Sequence, residues 1–364
     1  MTSAKKEDQA SRIEILDQMR GIALLVIFLV NIPGLAEVMT MERPSINESL
    51  RDLVDIIFAD TARPLFAFMF GISLILIYNR LKEKNINPYP TLFRRMLILF
   101  FIGAVHGFFI WTGDILLMYA SAGFVLLFFL KLSRKSLLVT ALLFWLGFTI
   151  GTDFFSYDLD NWLKGLLGSG ENPKGWDYLM IEFTDMINHM GFFLFGMYAY
   201  RIGIFSLVPE QRKITGLLTF IFLSVGLAGK TGLHYELDSF FLNNLDGFYA
   251  FMTTMGIVLA IILWGTSRAK AVLLPFAAIG KMTFTNYLLQ SLVFVSLFTL
   301  SGRTIFDGTG FWTEPSYVFA LVTGILFFMI QMVYSHFWLK KYRYGPFEWL
   351  WRTGTYMKVV PIKK

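Results

Sequence analysis

The acid–base chemistry that this sequence can offer rests on a small set of side chains. His106 stands in the apolar run Gly103-Ala104-Val105-His106-Gly107, and Asp114 follows after Trp111-Thr112-Gly113. An imidazole exchanges protons near neutral pH, so His106 is the candidate general base or acyl carrier. On an ideal helix Asp114 lies about two turns away, out of reach unless a turn folds it back. Asp185 and His189 are spaced four apart, with Asn188 between them, and share a helix face where a carboxylate can orient an imidazole. Asp60 and Arg63, spaced three apart, can pair beside Pro64, a residue that frees a backbone carbonyl and kinks helices.

Other polar groups sit in apolar surroundings. Asp17 and Arg20 are three apart and can pair at a helix end, with Asn31 deeper in the same run. The stretch Gly280-Lys281-Met282-Thr283-Phe284-Thr285-Asn286 continues to Gln290 and Ser291, placing Asn286 and Gln290 on one face. Each set also has a structural reading. Arg20 can be a helix-end anchor with Asp17 as its partner. Asn31, His106, Asn286 and Gln290 can be interhelical hydrogen bonds. Gly103 and Gly107 form a G-x-x-x-G face that admits another helix. His234 and His336 read as solvated or anchoring. There is no cysteine, which removes disulfides, thiol nucleophiles and Cys-ligated zinc. No H-E-x-x-H pattern appears, so no metal site is expected.

The elements that must hold these residues are membrane helices. The 364 residues are 55% hydrophobic and 16% charged, against about 25% charged in soluble domains. A bilayer core needs about 20 apolar residues in helix. Ten stretches qualify: Gly21–Val38, Phe58–Tyr78, Met96–Trp111, Ile115–Leu130, Leu137–Phe154, Phe183–Ile202, Ile214–Gly229, Gly247–Trp264, Phe276–Leu300 and Tyr317–Leu339. The fold class expected is therefore all-α, one integral membrane bundle over residues 1–364. Its segments are a cytoplasmic N-terminus (1–20), an extracytoplasmic loop (155–182) and a cytoplasmic tail (340–364). The polar start of the chain gives no sign of a cleavable signal peptide.

Lys and Arg set the orientation. With both termini inside, the inner segments hold 24 of the 32 basic residues and the outer ones 6, while Arg63 and Lys281 fall in spans. The net charge of +6 thus reads as cytoplasmic loops facing anionic lipid rather than as nucleic-acid binding. Asp60, Arg63, His106, Asp114, Asp185 and His189 then occupy the outer half, and Arg20 and Lys281 the inner half. Ionisable groups in hydrocarbon persist with a partner or a function, so these residues are expected to meet around one chamber.

Five ordered stretches carry a family resemblance. They are Arg12-Ile13-Glu14-Ile15-Leu16-Asp17-Gln18-Met19-Arg20-Gly21-Ile22-Ala23, Phe66-Ala67-Phe68-Met69-Phe70-Gly71, the run from His106 to Ala120, Gly280 to Ser291, and Tyr344-Gly345-Pro346-Phe347-Glu348-Trp349-Leu350-Trp351-Arg352. Together they resemble the YeiB-like family of bacterial membrane proteins along nearly the whole chain. The opening helix, with Arg20-Gly21 and then Val30-Asn31, is similar to that of the heparan-glucosaminide acetyltransferase group. The resemblance implies a multi-pass protein of the bacterial cytoplasmic membrane. It also implies acyl transfer from cytoplasmic acyl-CoA, as co-substrate rather than bound cofactor, to an extracytoplasmic acceptor such as a glycan. In the heparan enzymes the catalytic histidine follows the first helix. Residues 32–58 contain none here, so in acyl transfer either His106 substitutes or the chemistry differs. Asp114 or Asp60 would orient it, and Arg63, Asn31, His189, Asp185, Asn286 and Gln290 would meet substrate. Arg20 and Lys281 would contact CoA phosphates. A proton-coupled transporter or flippase using the same pairs as gates, and a non-catalytic scaffold, are the competing readings.

Overall fold

The computed structural model describes residues 3–38, 46–149, 151, 175–237, 244–300 and 316–364. The helices are α1 (Ser3–Leu35), α2 (Ile46–Phe58), α3 (Ala62–Glu83), α4 (Pro88–Phe109), α5 (Leu116–Leu126), α6 (Arg134–Thr149), α7 (Trp176–Ile202), α8 (Ile204–Glu210), α9 (Arg212–His234), α10 (Asp246–Gly265), α11 (Leu274–Lys281), α12 (Thr283–Phe294), α13 (Tyr317–Lys341) and α14 (Pro346–Tyr356). Among the described residues there is no strand beyond an isolated bridge between Tyr342 and Lys363.

Six stretches are long and apolar enough to cross a bilayer: Glu14–Leu35, Glu48–Glu83, Pro88–Phe109, Arg212–His234, Asp246–Gly265 and Tyr317–Lys341. Two bent pairs raise the number to eight, Asp177–Ile202 with Ile204–Glu210 (66°) and Lys270–Lys281 with Thr283–Phe298 (76°). The expected ten spans are thus too many among the described residues. Counting apolar runs treats each as one straight rod. The run Ile115–Leu130 instead begins after a turn and tightens into a 3₁₀ segment, Leu127–Phe129, giving a helix too short to span. The run Phe276–Leu300 is broken at Met282. The run Leu137–Phe154 is helical to Thr149, and its end lies outside the described residues, as does most of the expected 155–182 loop.

The described chain forms two compact units. The first contains Met1–Ala62, Ser267–Leu350 and Val360–Lys364. Here α1 and α11 cross at two glycines: a Cβ on Gly21 would strike the Phe276 carbonyl, and one on Gly280 would strike the Asp17 carbonyl. Only backbones without side chains approach so closely. The α12–α13 contact is polar at its centre. Asn286 Nδ2 donates to Ser335 Oγ (2.9 Å), Gln290 Nε2 to Gln331 Oε1 (2.9 Å), and Gln331 Nε2 to the Asn286 carbonyl (3.0 Å).

The second unit contains Arg63–Thr266 and Trp351–Val359. α3 and α7 interlock at Gly71, which faces the Phe193 carbonyl, and Gly196, which faces the Phe68 carbonyl. α4 starts on Asn87, whose side chain accepts from the Tyr89 N–H, with Pro88 at the first turn. α7 ends at Gly203, left-handed at φ 75°, as a helix stop requires. Thr219, Thr253 and Thr254 return their hydroxyls to carbonyls four residues back, which makes them compatible with an apolar setting. Large apolar side chains such as Phe101, Phe109 and Phe220 lie exposed on the helix surfaces. Water would not favour that distribution, and lipid does.

Candidate active site

His106 is placed by the end of α4. The amides of Ile110 and Trp111 both donate to the His106 carbonyl (2.9 Å each), closing the helix and turning the chain back. The turn through Gly113 delivers Asp114 to the imidazole, with His106 Nδ1 3.0 Å from Asp114 Oδ1. Both are about 1% exposed. The other carboxylate oxygen, Oδ2, accepts from the amides of Leu116 (3.0 Å) and Leu117 (3.3 Å). Asp114 thus lies against the ring on one side and holds the positive start of α5 on the other.

The glycine face of α4 makes room for this arrangement. A Cβ on Gly103 would fall on the backbone of Leu116 and Leu117, and one on Gly107 would overlap the Tyr178 hydroxyl. α5 and α7 therefore press directly against the turn of α4 that carries His106.

α7 contributes a row of polar side chains. Tyr178, Glu182, Asp185 and His189 recur at intervals of four, three and four, which is one face of a helix. Glu182 is 4% exposed, and its Oε2 accepts from the Met118 N–H (3.0 Å). Two carboxylates, Asp114 and Glu182, therefore share the first turn of α5. Asp185 pairs with Arg63 on α3, and the Arg63 carbonyl accepts from the Tyr119 hydroxyl (2.7 Å). His189 Nδ1 donates to the Asp185 backbone carbonyl (2.8 Å), so it is this carbonyl that sets the Nδ1 tautomer. The Tyr178 hydroxyl is buried without a hydrogen-bond partner among the described residues.

The second unit thus gathers His106, Asp114, Arg63, Asp185 and His189, all expected from sequence. It adds Glu182, Tyr119 and Tyr178, which that reading left out. Arg63 takes Asp185 as its partner rather than Asp60, which is exposed in the turn after α2 with φ 54°. Asp60, Asn31, Asn286, Gln290, Arg20 and Lys281 belong to the first unit. There Arg20 pairs with Asp17 (2.9 Å), Asn31 is half-buried, and Lys281 is exposed. Gly280 packs against the Asp17 carbonyl and Gly21 amide, so Arg20 and Lys281 flank one helix crossing. Asn286 and Gln290 are engaged in the polar α12–α13 contact described above. Among the described residues, no three histidine, aspartate or glutamate side chains are grouped so as to hold a metal ion.

Apolar helices long enough to span a bilayer, with a buried imidazole–carboxylate pair among them, define a multi-pass membrane protein. The chain belongs to the family described as heparan-alpha-glucosaminide N-acetyltransferase, catalytic, whose model matches residues 12–235. A second model, described as protein of unknown function (DUF418), matches residues 199–358. The chain is 28% identical to the uncharacterized protein YxaH of Bacillus subtilis (strain 168), covering 100% of this chain and 99% of that one. It is 29% identical to an uncharacterized 39.9 kDa protein of Bacillus acidopullulyticus, covering 96% of each. It is 25% identical to the uncharacterized protein YeiB of Escherichia coli (strain K12), covering 93% of this chain and 95% of that one. The YeiB-like resemblance of the sequence motifs therefore extends over nearly the whole length. The acetyltransferase match includes Arg63, His106, Asp114, Asp185 and His189 and stops before Lys281, Asn286 and Gln290.

Proposed function

We propose that this chain is a membrane acyltransferase of the bacterial cytoplasmic membrane, moving an acyl group from cytoplasmic acyl-CoA to an amine or hydroxyl of an extracytoplasmic acceptor such as a glycan. The observation that carries the reading is the His106–Asp114 pair, 3.0 Å apart and buried, inside the segment matched by an acetyltransferase family model. His106 acts as general base on the acceptor. Asp114 holds the ring by Nδ1, which leaves Nε2 as the working nitrogen, and stabilises the imidazolium once it forms. Arg63 and Asp185 contact the acceptor at the less buried edge of the same unit. Arg20 and Lys281 meet the CoA phosphates, in keeping with the inner location that the 24-to-6 charge bias gives them.

The test uses the purified protein in detergent or nanodiscs with acetyl-CoA and amino-sugar acceptors, reading free CoA by thiol detection. The chain has no cysteine, so its own thiols add no background. Acceptor-dependent CoA release that disappears in His106→Gln supports the reading. Release that is equal in His106→Gln removes the histidine from the chemistry. Proteoliposome flux that needs a pH gradient and survives loss of His106 would favour transport instead.

A further inference from the structure

The base at the centre of the site has no direct access to water. His106 and Asp114 are each about 1% exposed, whereas the Asp185 and Arg63 side chains are 21% and 40% exposed. Glu182 interacts electrostatically with members of both pairs, Asp114 on one side and Asp185 and Arg63 on the other. It faces Asp114 from the turn before α5, Asp185 and Tyr178 from its own helix, Tyr119 from α5 and Arg63 from α3. Its Oε2 takes a single backbone amide, Met118. Tyr178, one turn earlier, lies against Gly107, the residue after His106, with its hydroxyl buried and unpartnered among the described residues. The four residues of this α7 face rise about 16 Å along the helix.

We propose that Tyr178, Glu182 and Asp185 form a proton path along one face of α7, connecting the buried His106–Asp114 pair to the partly exposed Arg63–Asp185 edge. This deepens the acyltransferase reading and rests on it for the need to move a proton. An acceptor amine is an ammonium at neutral pH. His106 takes one proton from it, and the freed lone pair then forms the N–C bond to the thioester carbonyl. Collapse breaks the C–S bond, and the second nitrogen proton goes to the departing thiolate. The balance is ammonium plus acyl-CoA giving amide, CoA thiol and one proton. That proton remains on His106 until it leaves, through Asp114 to the Tyr178 hydroxyl and Glu182, and from Glu182 to Asp185. Glu182 and Tyr178 act through His106 and are positioning residues for its proton.

Glu182→Gln and Tyr178→Phe test the path. Glutamine keeps an oxygen for the Met118 amide, so α5 remains held while the proton carrier is lost. In ¹⁵N-histidine-labelled full-length protein in detergent, the His106 imidazole resonance is assigned by its absence in His106→Gln. Its N–H exchange with deuterated water is then followed. Exchange slowed by on the order of tenfold in both variants is expected. A merely structural role would loosen the site and speed exchange, so equal or faster rates overturn the path. In parallel, CoA release with an amine acceptor should fall about tenfold or more in Glu182→Gln and recover with added small buffers. If release is insensitive to His106→Gln, the acyltransferase reading fails alone, because the exchange rates decide the path without it.

Discussion

Replacing Asp114 separates its two roles. Asp114→Ala deletes both the acceptor for the Leu116 and Leu117 amides and the partner of His106. Asp114→Asn keeps an oxygen for the amides and loses the charge. Hydrogen bonds to a charged group contribute about 1.5 kcal/mol or more each, and this helix start is shielded from water that could replace them. The alanine variant should therefore lose about 3 kcal/mol. The asparagine variant keeps neutral versions of both bonds and should lose about 1 kcal/mol. For a chain of this size these correspond to shifts of about 4 °C and about 1 °C. The 9 tryptophans give an intrinsic fluorescence signal, read with detergent, protein concentration and scan rate matched between variants.

Activity should follow a different order. Both variants lose the carboxylate that orients the ring, so both should lose CoA release by about 10²-fold or more, although only alanine is strongly destabilised. The reasoning fails if asparagine is as destabilised as alanine, since the amide bonds would then not be the stabilising contribution. It also fails if asparagine is fully active, since Asp114 would then be a helix cap and nothing more.

Gly280→Ala places a methyl on the Asp17 carbonyl and should lower thermal stability by about 1–3 kcal/mol; Gly216→Ala, on a helix with open space at that position, should raise it by up to about 1 kcal/mol, and equal signs would refute the packing argument. Arg63→Ala, Asp185→Ala and the double variant should show a coupling of about 1 kcal/mol in a thermal double-mutant cycle, with no coupling expected between Arg63 and Asp177. Burial raises the Glu348 carboxyl above its ordinary value of 4.5, against the opposing effect of its bonds from Thr285 and Phe284. The folded chain then holds a proton that the unfolded chain has released, so this group's stabilisation is present below about 4.5 and is lost as pH rises through the folded value. The wild-type melting temperature should fall across that window relative to Glu348→Gln, and parallel pH profiles would show that the group does not titrate there.

The all-helical bundle was legible because lipid imposes a simple rule: backbone groups must be satisfied locally, so apolar runs become helices. The G-x-x-x-G signature at Gly103 and Gly107 correctly marked a close approach, and Asp114 could be foreseen to fold back on His106. The count of spans was not legible. The polar joints Thr112-Gly113-Asp114 and Lys281-Met282-Thr283 are visible in the sequence, but counting apolar runs does not reveal that the helix after the first is too short to span or how sharply the second bends. Glu182 was missed for a related reason. A sixth span taken to begin at Phe183 leaves Glu182 in a loop, whereas α7 begins at Trp176. The intervals of four, three and four through Tyr178, Glu182, Asp185 and His189 were the available signal. The Asp60–Arg63 pair illustrates the opposite error: spacing three apart is compatible with pairing only if both residues are in one helix, and Asp60 sits in the turn before α3.

The helix starts created by these breaks explain where the buried carboxylates are. A helix that begins inside a bundle exposes amides that hydrocarbon cannot solvate. In the second unit the first amides of α5 are taken by Asp114 and Glu182. In the first unit the start of α12, at the 76° bend, is taken by Glu348, whose Oε1 accepts from Phe284 (2.7 Å) and Thr285 (3.0 Å) and whose Oε2 accepts from the Thr285 hydroxyl (2.5 Å). The same local demand is met in both, yet the consequences differ. Glu348 spends both oxygens on the helix start and its threonine, which is a structural closure. Asp114 spends one oxygen on amides and presents the other to an imidazole, so a group required for backbone satisfaction is also the one that meets His106. In the proposed reaction, a carboxylate held in this way by the fold would keep its place beside a protonated ring, which is the property a base-orienting partner needs.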